Sequence, residues 1–349
     1  MKKIIFILAL AITFFACKTE QKKEETTKEE TTSKVVNVYT HRHYKADQEL
    51  FALFEKEFGI KVNVVNAKAD ELMQKMSIEG EQSPADVLIT SDAGRLVRAK
   101  NKGLLQSISS KILDTVVAPH LKDADNNWFA LTKRARIIVY NPEKVTEEQL
   151  STYEDLANDK WKKKVLIRSS SNIYNQSLLA SLIANLGEEK ATEWAKGIVA
   201  NMARSPKGND RDQVKAVVAG EGDLAVVNTY YIGKLLNSKN PDEVLAGKAV
   251  KIFFPNQNDR GAHINISGAG FAKYAPNKEN AVKFIEFLTS EKAQEVFAKA
   301  NYEYPVNNAV QPSELLQSWG AFKEDNLSLT KLGENNKKAV LVFDNAAWK

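Results

Sequence analysis

A single cysteine, Cys17, occurs in the 349 residues, so no disulfide can form within the chain and no paired-thiolate metal site can be built. Histidine is nearly as scarce: His41, His43, His120 and His263 are the complete set. None of them falls in an HExxH, CxxC or Ser/His/Asp pattern, so no constellation of acid, base and nucleophile appears and an enzyme is not expected. Zinc and copper centres call for more imidazole and thiolate than this. Long apolar runs are missing too; the stretch Ile4 to Phe15 covers twelve residues, against the roughly 20 that span a bilayer as a helix. The formal charge of +5 falls to about +3 once Lys2 and Lys3 are discounted, with no dense basic block, which argues against nucleic acid as a partner.

What is present begins with a leader. Met1-Lys2-Lys3, the apolar stretch and the small Ala16 before Cys17 follow the order of a signal peptide. Phe14-Phe15-Ala16-Cys17 resembles a bacterial lipobox, departing from it at Phe14, where Leu is usual. Residues 1–16 are therefore expected to be removed and Cys17 to carry a lipid anchor, each buried CH₂ contributing ~0.8 kcal/mol to membrane attachment. Residues 17–34 read as a flexible tether: KEETT occurs at 23–27 and again at 28–32, with no apolar side chain to offset the entropy of ordering.

From Val35 onward, strands and helices alternate in a length sufficient for two cores. Val35 to Tyr39, a helix near Asp47 to Phe58 with Asp47 as its cap, and Lys61 to Val65 form a βαβ unit. Helices over Ala69–Glu79 and Ala93–Lys102, with a strand over Ala85–Thr90, extend it. Ala135 to Asn141 reads as a strand crossing into a second α/β unit, and His263 to Phe271 as the return. The expected organisation is a first domain over 35–135 and 263–310, a second over 136–262, and a helical tail over 311–349. Two such domains joined by two crossing segments form a hinged cleft that closes on a ligand.

Ligands in α/β sheets sit at the carboxyl ends of strands. Three loops at such ends carry unusual side chains: His43-Tyr44 after the first strand, Tyr174 in Ser169-Ser170-Ser171-Asn172-Ile173-Tyr174, and Tyr230-Tyr231 after Gly222 to Thr229, just before a turn expected at Gly233. Each taken alone is also compatible with ordinary packing or a polar surface loop. Together they offer one imidazole and four phenols to a single cleft. Free tyrosine titrates near pH ~10, so only a strongly polarising cation holds several phenolates at neutral pH, and Fe³⁺ is the natural candidate. Four phenolates exceed its charge by one, which predicts a nearby guanidinium; Arg42 and Arg168 are placed for that role, and a plain surface charge is the other reading of each.

These residues carry a resemblance. Arg42-His43-Tyr44, Ser83-Pro84-Ala85-Asp86-Val87-Leu88-Ile89-Thr90, Arg168 to Ser177, Asn228-Thr229-Tyr230-Tyr231, His263 to Gly268 and Glu303-Tyr304-Pro305-Val306 are similar to the ferric-ion substrate-binding proteins of ABC importers, the Fut-type branch above all. The resemblance covers residues 35 to about 310. It implies the two-domain venus-flytrap fold of type II periplasmic binding proteins, with Fe³⁺ held by His43, Tyr44, Tyr174, Tyr230 and Tyr231. It further implies an extracytoplasmic monomer that hands its iron to a membrane permease. A cleft of the same fold taking a small organic or oxyanionic solute is the competing expectation.

Overall fold

The computed structural model describes residues 34–349; the leader, Cys17 and residues 18–33 of the tether lie outside the described residues. Alternating β-branched residues make the first strand, Val35–Thr40 (β1), which buries Val36 and Val38 and pairs in parallel with Lys61–Asn66 (β2) on one side and Val87–Ser91 (β3) on the other. Between β1 and β2 runs the helix Lys45–Phe58, which buries Leu50 and Phe54 and ends at Gly59, whose φ of 65° is the left-handed turn that lets the chain leave the helix. Asp47 does not cap this helix. Tyr44 occupies the cap, and Asp47 sits in the first turn, accepting the Tyr44 main-chain N–H at 3.3 Å.

The longest strand, Trp128–Tyr140 (β4), is followed by Val165–Leu166 (β5), Leu224–Asn228 (β6), Lys251–Phe253 (β7), Ile264–Phe271 (β8) and Tyr304–Pro305 (β9). The sheet runs β2-β1-β3-β8-β4-β6-β5, with β7 and β9 also paired to β4. β4 changes partner along its length: Trp128 to Ala135 lies antiparallel to β8, whereas Arg136 to Tyr140 lies antiparallel to β6. Two apolar clusters fill the core. One gathers Phe54, Phe129, Phe271 and Phe284 around β1, β3 and β8 and continues through Ile137 and Val139 of β4 to Ala225 and Val227 of β6; the other gathers Tyr153, Trp161, Leu179 and Trp194 against Ile138 and Tyr140 of β4 and Leu224 and Val226 of β6.

Residues 311–349 are not a single helical extension. They form the short helices Glu314–Gln317, Thr330–Glu334 and Asn336–Asn345 and lie across the molecule. At Gly333 a Cβ would fall 2.3 Å from Val97 of the helix Ala93–Asn101, so glycine alone permits that approach. Ala339, Val342 and Phe343 of the last helix join the second apolar cluster.

Candidate functional site

Three separate elements deliver the phenols. Tyr44 caps its helix just past the carboxyl end of β1. Tyr174 stands in the first turn of Ile173–Leu186, where the Asn172 side chain caps the helix by accepting the Tyr174 N–H at 3.2 Å. Behind it the buried Asn175 amide donates to the carbonyls of Arg168 at 2.7 Å and Ser169 at 3.2 Å, clamping the loop. Tyr230 and Tyr231 open the helix Thr229–Leu236, which follows β6 with no intervening loop. The turn expected at Gly233 is absent: Gly233 lies inside this helix, where a Cβ would stand 2.5 Å from the Tyr302 ring.

The hydroxyls of Tyr174 and Tyr230 are 3.2 Å apart, and the rings of Tyr230 and Tyr231 pack at a tilt of 32° with centroids separated by 4.2 Å. Tyr44 joins them through Lys234, whose ammonium lies 3.8 Å from the Tyr44 ring centroid and 5.0 Å from that of Tyr230. His43 stands at the rim, exposed, with its ring centroid 5.5 Å from that of Tyr44. The remaining histidines are elsewhere: His263 is buried on the approach to β8, and His41 faces the main-chain N–H of Ser91 and the guanidinium of Arg95.

Burial drives the phenols toward their neutral forms. Tyr44 is pushed up to about 12, chiefly by burial and then by the negative charge of Glu303 and its neighbour Tyr174, with Arg42 and Arg134 opposing. Tyr230 is raised well above the ordinary phenol range by burial and by Tyr174, Tyr231 and Tyr44; Tyr231 is raised by burial, Tyr174 and Asp210. Beside burial, the neighbouring phenols thus add to the proton affinity of Tyr44 and Tyr230. Among the described residues no group of three or more His, Cys, Asp or Glu side chains is placed to hold a metal ion, so any metal at this spot would draw on the phenols.

Cations outnumber carboxylates around the cluster. Arg42 is buried and paired with Asp47 at 3.0 Å and Glu303 at 3.2 Å, its guanidinium 5.0 Å from the Tyr44 ring centroid. Arg168 reaches Asp210 at 3.4 Å and lies 5.9 Å from the Tyr174 ring. Arg136, also buried, holds Asp210 at 2.6 Å and the Asn175 side-chain oxygen at 2.9 Å. Although burial pushes the Glu303 carboxyl up, Arg42, Arg134 and the Asn301 amide together hold it below the usual carboxylate range.

Arg134 and Lys234 were not among the residues singled out from the sequence. The Arg134 guanidinium lies 5.3 Å from the Tyr174 ring centroid, 1% exposed, and its three nitrogens have no hydrogen-bond partner among the described residues. Leaving a buried cation unsatisfied costs at least 1–3 kcal/mol or so, more for a charge, which is hard to explain unless something anionic is to form beside it. Burial pulls the Lys234 ammonium down to about 8, with Arg42 and Arg211 adding to the effect and Glu303 opposing it. A signal for Arg134 did exist: it sits with Lys133 and Arg136 in a strand that is apolar at both ends, and charges in buried strands are rare without a task. Lys234, in a short helix where Gly233 signalled a turn instead, gave no comparable sign.

This architecture can be set beside known proteins. Residues 82–321 match the model of a family described as bacterial extracellular solute-binding protein. The chain belongs to that family. Among solute-binding proteins it is 52% identical over 314 residues to Iron uptake protein A1 of Synechocystis, an alignment covering 90% of this chain and 87% of that one. It is similar as well to a Trichodesmium protein (IdiA, FutA) solved in complex with iron and citrate, at 49% identity and a TM-score of 0.88, covering 90% of this chain and all of the other. The ferric binding protein from Campylobacter jejuni superposes with a TM-score of 0.85 at 47% identity, covering 90% of this chain and 100% of that one. The fold of this solute-binding protein is the two-domain α/β type of periplasmic ferric-binding proteins.

Proposed function

We propose that the protein is an extracytoplasmic receptor that captures Fe³⁺ between two domains and delivers it to the permease of an ABC importer. The observation that carries this reading is the meeting of Tyr174 and Tyr230 hydroxyls at 3.2 Å beside a buried guanidinium, Arg134, whose nitrogens have no hydrogen-bond partner among the described residues. Its relatives' names, an iron uptake protein and a ferric binding protein, point the same way.

The chemistry follows from charge. Tyr44, Tyr174, Tyr230 and Tyr231 are the oxygen donors and His43 the nitrogen donor; in the empty cleft burial above all keeps Tyr44, Tyr230 and Tyr231 protonated. A trivalent cation displaces those protons, and the four phenolates against Fe³⁺ leave one negative charge, which Arg134 and Lys234 offset directly while Arg42 and Arg168 act from behind their carboxylate partners. A divalent ion offers less charge to displace the same protons, so selectivity for Fe³⁺ is built into the cost of ionising the cluster.

The domain limits proposed are 35–135 with 263–310, and 136–262. The exchange of β4 partners between Ala135 and Arg136 supports the first boundary. Anchoring through an acylated Cys17 and action as a monomer complete the proposal.

Ferric loading of the purified protein tests it. Phenolate-to-iron charge transfer makes the loaded protein red to purple, with about one iron per chain by metal analysis. A colourless protein that retains no iron after loading excludes this function.

A further inference from the structure

Residues 168–172, between β5 and the Tyr174 helix, are held from outside by a segment far away in sequence. The helix Asn336–Asn345 ends at Ala346, and Ala347 adopts the left-handed conformation at φ 54°, uncommon for a residue with a Cβ. That bend returns Trp348 to its own helix, where its N–H donates to the Phe343 carbonyl at 3.0 Å, and buries the indole against Phe343 and Trp194, at centroid separations of 4.8 and 5.8 Å. The indole Nε1–H then donates to the Arg168 carbonyl at 3.0 Å, and the Lys349 main-chain oxygen accepts the Ser170 N–H at 3.0 Å. Asn336, at the start of the same helix, donates to the Gln176 side-chain oxygen at 3.2 Å, and Gln176 donates in turn to the Ser170 carbonyl at 3.1 Å.

The Arg168 carbonyl thus takes two hydrogen bonds, from Asn175 within and from Trp348 without. We infer that residues 346–349 form a strap that fixes the Tyr174 loop, with Trp348 as a positioning residue for the metal cleft; this rests on Tyr174 being an iron ligand. A strand end and a short helix cap leave a loop free to wander by an ångström or more, and a donor displaced that far loses most of its bond to a metal. Burying the indole in the second apolar cluster puts the clamp on a rigid base rather than on another loop.

Trp348→Phe removes the Nε1–H and keeps a ring in the Trp194–Phe343 pocket. A chain carrying benzothienylalanine at position 348, which has the shape of Trp without the N–H, controls for packing. Both are loaded with ferric citrate, and iron release to excess chelator is followed by loss of the charge-transfer band, with melting temperature recorded alongside. Release is expected to quicken about three- to tenfold, the worth of one hydrogen bond. The acceleration should persist in a Tyr44→Phe background and vanish in a Tyr174→Phe background, where no phenol remains to be placed. Equal release from the unmodified and both altered proteins, or an equal acceleration in the Tyr174→Phe background, overturns the inference while leaving the iron reading intact. An unmodified protein that takes up no iron overturns both.

Discussion

Tyr230 and Tyr231 are both proposed ligands, and replacing both by Phe should keep the ring packing while removing two oxygens. Their packed rings and the helix they open survive such a change, so the expected result is a normal melting curve with tight iron binding and visible colour abolished. Retained affinity in that variant would falsify the ligand assignment. Arg134 is the other decisive residue. Arg134→Met preserves much of the buried volume and removes a cation that has no hydrogen-bond partner among the described residues, so the iron-free protein loses only its charge interaction with Glu303, and the larger effect should show with metal bound. Iron affinity is expected to fall roughly 10- to 100-fold, the usual cost of removing a group that supports metal ligands. Proton release provides a third check at this scale. Because the phenols start protonated, with Tyr44 pushed up to about 12, loading with iron near neutral pH should release up to four protons, and apparent affinity should climb with pH. An indicator dye in weak buffer reads this directly.

Among the elements, the helix Thr229–Leu236 differs most from its sequence reading. Glycine commonly signals a turn, and Gly233 carries that signal, yet here it lets the helix pass against Tyr302. Gly233→Ala is therefore expected to destabilise the protein by about 1–3 kcal/mol, through overpacking rather than loss of a turn, with a matching fall in melting temperature and a milder effect on iron release. Helices such as Ala69–Glu79 and Ile173–Leu186 were legible because apolar residues at helical spacing and a terminal glycine agree. The cap of Lys45–Phe58 was misread as Asp47 because a carboxylate satisfies a helix start equally well from the first turn, and only the position of Tyr44 over the cleft decides between them. Helix Pro241–Ala249 went unread, its apolar residues showing almost no preferred face.

Across the whole molecule, burial of histidine makes stability depend on pH. Burial and the nearby Arg136, Arg134 and Arg260 lower His263 to about 3, below the ~6.5 of an exposed imidazole. The unfolded chain therefore binds a proton that the folded chain refuses between about pH 6.5 and 3, and stability falls as pH drops through that window, by up to ~1.4 kcal/mol per pH unit for each such histidine. His263→Gln should flatten the decline measured by thermal melting of the iron-free protein, while leaving the plateau above pH 7 in place.

The alternation of strands and helices from β1 onward and the placing of Tyr44, Tyr174 and Tyr230-Tyr231 just past strand ends were determined by sequence alone, because hydrophobic period, turn residues and strand ends are local properties. Tertiary structure decided which phenols meet, that Arg134 and Lys234 stand over them, and that the tail straps the Tyr174 loop from 174 residues away, Tyr174 to Trp348. Those outcomes depend on where distant segments cross, and a one-dimensional pattern records the faces that will be buried without recording what they will be buried against.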